Sequence, residues 1–239
     1  MIVAWLFFSA CLPGAQNSSE VYTWGGYLYQ RFSDSEELLP LDNATLSLSY
    51  MEHDDVVFAT QPYEDAQAYW TFELADTTPQ DIQIRIEAPD CDPMIWRGQS
   101  PTSNTIWLNL FTHHQEYNAL FFEQLAPLTP EGIQDLTLAE SSHLWGTPLS
   151  PEDWTEVSAW VSHSNGDSYE VLFWGLTETL ELEFLEQPLT KTPLIFIAPN
   201  LPPGQVTLHV EGPQVSAQTV YQTDGGDILS AMYYVLWPN

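Results

Sequence analysis

Positive charge is almost missing from this chain of 239 residues. Arg31, Arg85, Arg97 and Lys191 are its whole basic complement, against 33 Asp and Glu. Most carboxylates therefore lack a cationic partner within the chain and stand in water. A body of formal net charge −29 repels phosphate backbones and anionic lipid headgroups, because both are held by Lys and Arg. Nucleic acid is excluded as a partner; a divalent cation, a basic partner or a salty medium that screens the self-repulsion stays open. Cysteine is equally scarce. Cys11 and Cys91 allow one disulfide by count, yet Cys11 sits in the stretch least suited to a folded core. No stretch matches a nucleophile elbow, a phosphate loop, a dinucleotide fingerprint or a zinc-protease helix.

Aromatic residues are plentiful, with 10 Trp, 11 Tyr and 11 Phe among 44% hydrophobic residues, which excludes a disordered tail and supplies a large core. The chain opens on the apolar run Ile2–Phe8, well short of the roughly 20 residues that cross a bilayer. The small pair Ser9-Ala10 and then Cys11 follow it. Such a run has the length of a signal-peptide apolar region. Phe8-Ser9-Ala10-Cys11 resembles the lipobox of bacterial lipoproteins. The resemblance implies that the Cys11 thiol carries lipid after export, which anchors the chain to a membrane, since each buried methylene contributes about 0.8 kcal/mol. Leu12–Ser19 reads as a flexible tether, making residues 1–19 leader plus tether. The other reading of the run is a buried N-terminal strand.

Strand signals dominate the rest. Leu46, Leu48 and Tyr50 alternate with polar residues, as do Ile82, Ile84 and Ile86. Trp70-Phe72-Leu74, Val157-Ala159-Val161, Tyr169-Val171-Phe173, Leu180-Leu182-Phe184 and Val206-Leu208-Val210 follow the same period of two. The fold class is all-β with one short helix near residues 114–125, lying between the halves or closing the first. There Tyr117, Leu120, Phe121 and Leu125 share a face, Thr112 with Gln115 suggests a capping box, and Pro127 marks the stop.

The two halves echo each other. Trp24-Gly25 recurs as Trp145-Gly146, Phe72 as Phe196, and the Asp81–Glu87 pattern as Gln205–Glu211, each roughly half a chain apart, as a duplicated unit requires. The expected organisation is a β-sandwich over 20–126 that closes with the helix, a connection over 127–142, and a second β-sandwich over 143–239. In the second copy, Leu201-Pro202-Pro203-Gly204 leads into Val206, Leu208 and Val210. That stretch resembles the carboxypeptidase regulatory-like, or prealbumin-like, β-sandwich. The resemblance implies two tandem sandwiches of immunoglobulin or prealbumin type and a non-catalytic accessory role.

Candidate chemistry is sparse. Trp160 faces away from Val157, Ala159 and Val161, and Trp174 away from Val171 and Phe173, so the two together are expected to expose aromatic surface for a glycan or a protein. Trp24 and Trp145, at equivalent repeat positions, read as packing residues. Asp224 and Asp227 in a Thr-Asp-Gly-Gly-Asp stretch offer oxygens to Ca2+, although Asp-Gly-Gly is first a turn signal. His113, His114 and Glu116 invite a metal, but adjacent imidazoles diverge on a strand or a helix. No cofactor is implied. The expectation is an exported, lipid-anchored envelope protein, on an outer membrane or facing the periplasm, and secreted if unlipidated. It acts as a binding or structural module. The alternatives are an envelope hydrolase with dispersed catalytic residues, recognisable by a histidine beside Ser or Asp in a cleft, and a carbohydrate-binding sandwich.

Overall fold

A computed structural model describes residues 21–31, 38–41, 43–51, 56–58, 69–74, 78–100, 108–131, 133, 136, 141–146, 157–187, 189, 193–212 and 216–231. Cys11 and the expected leader and tether lie outside the described residues, as does Lys191. The first half holds β1 (Tyr22–Arg31), β2 (Leu38–Pro40), β3 (Thr45–Tyr50), β4 (Val56–Phe58), β5 (Tyr69–Leu74), β6 (Asp81–Glu87), β7 (Met94–Gln99) and β8 (Leu110–His113). Helix α1 (Gln115–Leu125) and a 3-10 turn, Ala126–Leu128, follow. The second half holds β9 (Ser142–Gly146), β10 (Ser158–His163), β11 (Ser168–Glu170), β12 (Leu172–Leu176), β13 (Leu182–Leu185), β14 (Ile195–Leu201), β15 (Gly204–Glu211), β16 (Ser216–Thr223) and β17 (Ile228–Ser230). The all-β expectation holds. Among the described residues no helix is long and apolar enough to cross a membrane.

Alternation does what the period predicts. Ile82, Ile84 and Ile86 are all at or below 1% exposure on one face of β6, and Val206, Leu208 and Val210 line one face of β15. The two halves share a pattern of strand pairing. In the first half β1 pairs with β5 and β3 with β6; in the second β9 pairs with β14 and β10 with β15, all antiparallel. Trp24 is the register partner of Phe72, and Gly146 that of Phe196. The recurring glycines have a steric cause. A Cβ on Gly25 would lie 2.5 Å from the Trp70 carbonyl oxygen, and one on Gly146 would lie 2.1 Å from the Phe196 ring. At the Leu201–Gly204 turn, Gly204 takes φ +131°, the positive torsion expected of it.

One strand ties the halves together. β17 runs parallel to both β7 and β9, giving a nine-stranded sheet in the order β13-β12-β14-β9-β17-β7-β6-β3-β4. The two smaller sheets, β2-β1-β5 with β8 and β11-β10-β15-β16, complete the layers. One core, from Trp24 to Leu110, belongs to the first half, where Trp24 and Trp70 meet edge to face at 5.6 Å. A second fills the space between β12, β14 and the β10-β15-β16 sheet, and takes in Ile95 of β7.

The helix differs from its expectation in its cap and its buried face. It is capped by His114, whose Nδ1 accepts from the Glu116 N–H at 3.2 Å, while Thr112 is fully buried on the strand before it and does not cap the helix. Its buried face is Asn118, Phe122 and Leu125, and Leu120 is 45% exposed. It lies between the halves, the first of the two expected placements: Phe122 and Leu125 join Leu136, Leu172, Trp174 and Ile197 in a third core, with Leu128 and Ile133 of the connecting segment against it, while Asn118 Nδ2 donates to Asp92 Oδ2 of the first half at 2.6 Å. Leu180 is also displaced, lying in the β12–β13 turn at φ 66° and 77% exposure instead of in a strand.

Gly146→Ala should therefore lower stability by about 1–3 kcal/mol through overpacking against Phe196, whereas Gly166→Ala, where a Cβ has open space but φ is +97°, costs only the left-handed strain of about 1 kcal/mol. Urea unfolding of the two variants checks the order.

Candidate functional site

The outward face of the β11-β10-β15-β16 sheet is built by register alone. Inward Ala159 and Val161 turn Ser158, Trp160 and Ser162 outward, and inward Leu208 and Val210 do the same for Thr207, His209 and Glu211. Trp160 is directly opposite His209 on β15 and Glu170 on β11, and His209 is opposite Gln218 on β16. One row thus reads Glu170, Trp160, His209, Gln218. The Trp160 and His209 rings stack with centroids 4.8 Å apart and planes 2° apart. That distance matches the strand spacing, so both rings stand upright on the sheet.

His209 Nε2 lies 2.7 Å from Ser162 Oγ. The distance suits a nucleophile and its base, but acyl transfer also needs N–H donors converging beside the nucleophile. The N–H groups that follow Ser162 are already engaged, His163 N with Asp167 O and Ser164 N with Gln205 O, both at 2.9 Å. Ser162 and His209 form a diagonal cross-strand pair that fixes the imidazole edge. The surface this makes is an aromatic edge among hydroxyls, an amide and two carboxylates.

Trp174 does not join it. Expected on the outside, it is 0% exposed, because α1 and the segment through Leu136 cover the outer face of β12. Its ring meets Phe184 edge to face at 5.9 Å. Trp160 and Trp174 therefore stand in different layers and cannot act as one platform.

Asp227 is likewise turned inward. Its buried carboxylate accepts from Thr223 Oγ1 at 2.5 Å and from Asp224 N at 3.2 Å, and pairs with Arg85 Nη1 at 2.8 Å. Ser142 Oγ accepts from Asp227 N and lies 2.6 Å from Thr223 Oγ1. Burial acts to lower the Arg85 pKa, but the attraction of Asp227 and Glu87 holds it above its ordinary value. A Ca2+ at Asp224 and Asp227 would meet this guanidinium already in place, and Asp224 points its side chain to solvent at 85% exposure. The cation that these acids serve is the chain's own Arg85. Next to it the Gln83 amide donates to Gln222 O and accepts from Gln222 N, each at 2.9 Å. Arg85 and Gln83 belong to the first half, Asp227 and Gln222 to the second.

The histidine pair separates as its geometry requires. His113 is buried, 4.9 Å from Tyr117 and 4.6 Å from Trp145, while His114 caps the helix. Burial, reinforced by Arg31, lowers the His113 pKa to about 4. Beside it lies a cavity of about 20 Å³, room for one water. His143, which no sequence pattern marked, has both nitrogens engaged: Asn200 N donates to Nδ1 at 3.0 Å, so Nε2 carries the proton and donates to Leu136 O at 2.7 Å. Cys91 is a free, buried thiol that accepts from Gln30 Nε2 at 2.9 Å, and burial pushes its pKa up.

Two outcomes follow. Because unfolded His113 titrates near 6.5 and folded His113 near 4, the unfolded chain binds more protons between those values, and stability should fall as pH drops through that window by about 3 kcal/mol in all. In His113→Phe that part of the pH dependence of the urea midpoint should vanish. Trp174→Ala should cost about 3–5 kcal/mol and Trp160→Ala less than about 1.5, measured the same way.

No family model matches the chain, and no curated protein matches it. Solved structures similar to it include the TIE protein of Bacillus anthracis, at 11% identity and a TM-score of 0.28, with 89% of this chain and 33% of that one covered. The chain thus spans about a third of the TIE protein's length. The shaft pilin SpaA of Lactobacillus rhamnosus GG is similar at 9% identity and a TM-score of 0.28, covering 91% of this chain and 100% of the pilin. The minor pilin GBS52 of Streptococcus agalactiae is similar at 8% identity and a TM-score of 0.24, covering 91% and 98%.

Proposed function

We propose that this chain is an exported envelope module, anchored by lipid on Cys11, that acts without catalysis as a stiff two-part spacer and presents a binding face. The observation that supports it is the joint. A strand of the second half lies between β7 and β9, and the Asp227–Arg85 pair with the Gln83–Gln222 bridge closes the seam beside it. Such a joint resists bending, which suits a spacer, whereas enzymes that work between domains commonly open and close there. Export would place the acidic body in water away from nucleic acid, where its charge maintains solubility.

A second reading, glycan binding, draws on the Trp160–His209 row. An indole edge amid Ser162, Thr207 and Gln218 offers apolar contact together with neutral hydrogen-bonding groups, as a sugar requires. The hydrolase reading is disfavoured by the Asp167 and Gln205 carbonyls that occupy the N–H groups after Ser162.

Asp227→Ala should strand Arg85 in the seam and cost about 3–5 kcal/mol. Small-angle scattering should then show a wider spread of sizes than in the wild type; an unchanged curve with unchanged stability would count against the spacer. Intact-mass analysis of the membrane fraction should find an acylated N-terminal Cys11, and a mature chain that keeps Met1 would remove the anchor. In a glycan screen, Trp160→Ala should lose whatever binding the wild type has.

A further inference from the structure

We propose that two copies of this chain join edge to edge through β16, running antiparallel about a two-fold axis at Gln218. β16 is the outer strand of its sheet and, among the described residues, pairs only with β15. The direction of its free groups follows from two bonds. Gln205 O accepts from Ser164 N, so the backbone of Gln205 faces away from β16. Its register partner Gln222 therefore turns N–H and C=O outward, where the Gln83 side chain takes both. By the period of two, Ser216, Gln218 and Val220 present their N–H and C=O groups on the same open side.

Among the described residues, every other edge strand is short or carries a residue that discourages pairing. β2 ends in Pro40; β5 carries Glu73, β11 Glu170 and β13 Glu183; β4 has 3 residues and β8 has 4. β16 has 8 residues with neither charge nor proline. In a chain with 33 acids such an edge is the exception, and an unguarded edge is a template for another strand. A second copy fits it. A two-fold at Gln218 sets each Gln218 opposite its mate and Ser216 opposite Val220, all of them hydrogen-bonded pairs with no like charges facing. The rest of so acidic a surface repels its copy, so the neutral strip is where two bodies approach at least cost.

The test uses the full chain as Cys11→Ser, which removes lipid-driven clustering. Sedimentation should show a monomer–dimer equilibrium that tightens as NaCl is raised, because salt screens the repulsion between the two bodies. Hydrogen exchange at the Ser216, Gln218 and Val220 amides should slow as the dimer forms. Gln218→Pro removes an outward N–H that the fold itself does not use, and should weaken association about tenfold or more with an unchanged melting temperature. Gln218→Glu, which opposes two carboxylates at the axis, should weaken it too and regain part of it in salt. A chain that stays monomeric at all salt concentrations, or a dimer whose β16 amides exchange as fast as the monomer's, overturns the proposal. So does a dimer that falls apart as salt rises, the behaviour of charge-driven contact.

Discussion

A carboxylate at 0% exposure, in a chain with only four basic residues, is the constraint on which the arrangement of the two halves rests. Left alone, Asp227 would lose several kcal/mol of hydration. Here it has Thr223 Oγ1, Asp224 N and the Arg85 guanidinium, and its own N–H goes to Ser142 Oγ. The residues that satisfy it come from β6, β9, β16 and the turn between β16 and β17. Withdrawing any of these would leave a buried group unpaired, so the charge makes one relative placement of the halves favourable and others costly. Apolar contact between Ile95 and the second core adds stability at the same seam, but it is tolerant of sliding in a way that a bidirectional pair such as Gln83–Gln222 is not.

The other consequence of the shared sheet is that its second-half part is covered on both faces. β12 reads Leu172-Phe173-Trp174-Gly175-Leu176, and its first four residues are buried. A near-continuous apolar run of that sort marks a strand with packing on each side. The alternation rule, which assigns one face to water, misplaced Trp174 for that reason. The cover itself was legible only in part: the helix was visible in its position, yet its apolar residues do not reveal which sheet it lies on. Leu136 and Ile133 looked like connection because prolines, a glycine and acids surround them, while their side chains fill the gap beneath α1.

Legibility in the candidate site divides along the same line. Period two sufficed to turn Trp160 outward, and the matched tokens Trp24 and Trp145, Phe72 and Phe196 fall on strands that pair alike in the two halves, β1 with β5 and β9 with β14. What no single strand contains is its register against another. His209 as the stacking partner of Trp160, Ser162 as its hydrogen-bond partner and Gln83 as the bridge to Gln222 all depend on which residues face each other across strands distant in sequence. In sequence Asp227 looks like half of a turn and a calcium ligand because Gly225 and Gly226 precede it; those glycines do take positive φ, at 95° and 72°. The available signal was the scarcity of bases, since a chain with so few has reason to place each one beside an acid that cannot reach water.

That scarcity also orders the surface. Arg85 sits in the seam, Arg97 is buried and donates to Ile82 O at 2.7 Å, and the Arg31 guanidinium lies 5.4 Å from the Tyr117 ring centroid. The described cations are thus engaged with the fold itself, Arg31 while remaining exposed, and carboxylates and neutral groups dominate the outside. A nearly uniform negative field keeps molecules apart but cannot tell one from another, because all anionic surfaces are repelled alike and all cationic ones attracted alike. Discrimination must then come from places where the field is locally weak and direction matters: the upright Trp160 and His209 rings, and the eight uncharged residues of β16. Charge sets whether a body comes near; the hydrogen-bond directions of those two patches decide what stays.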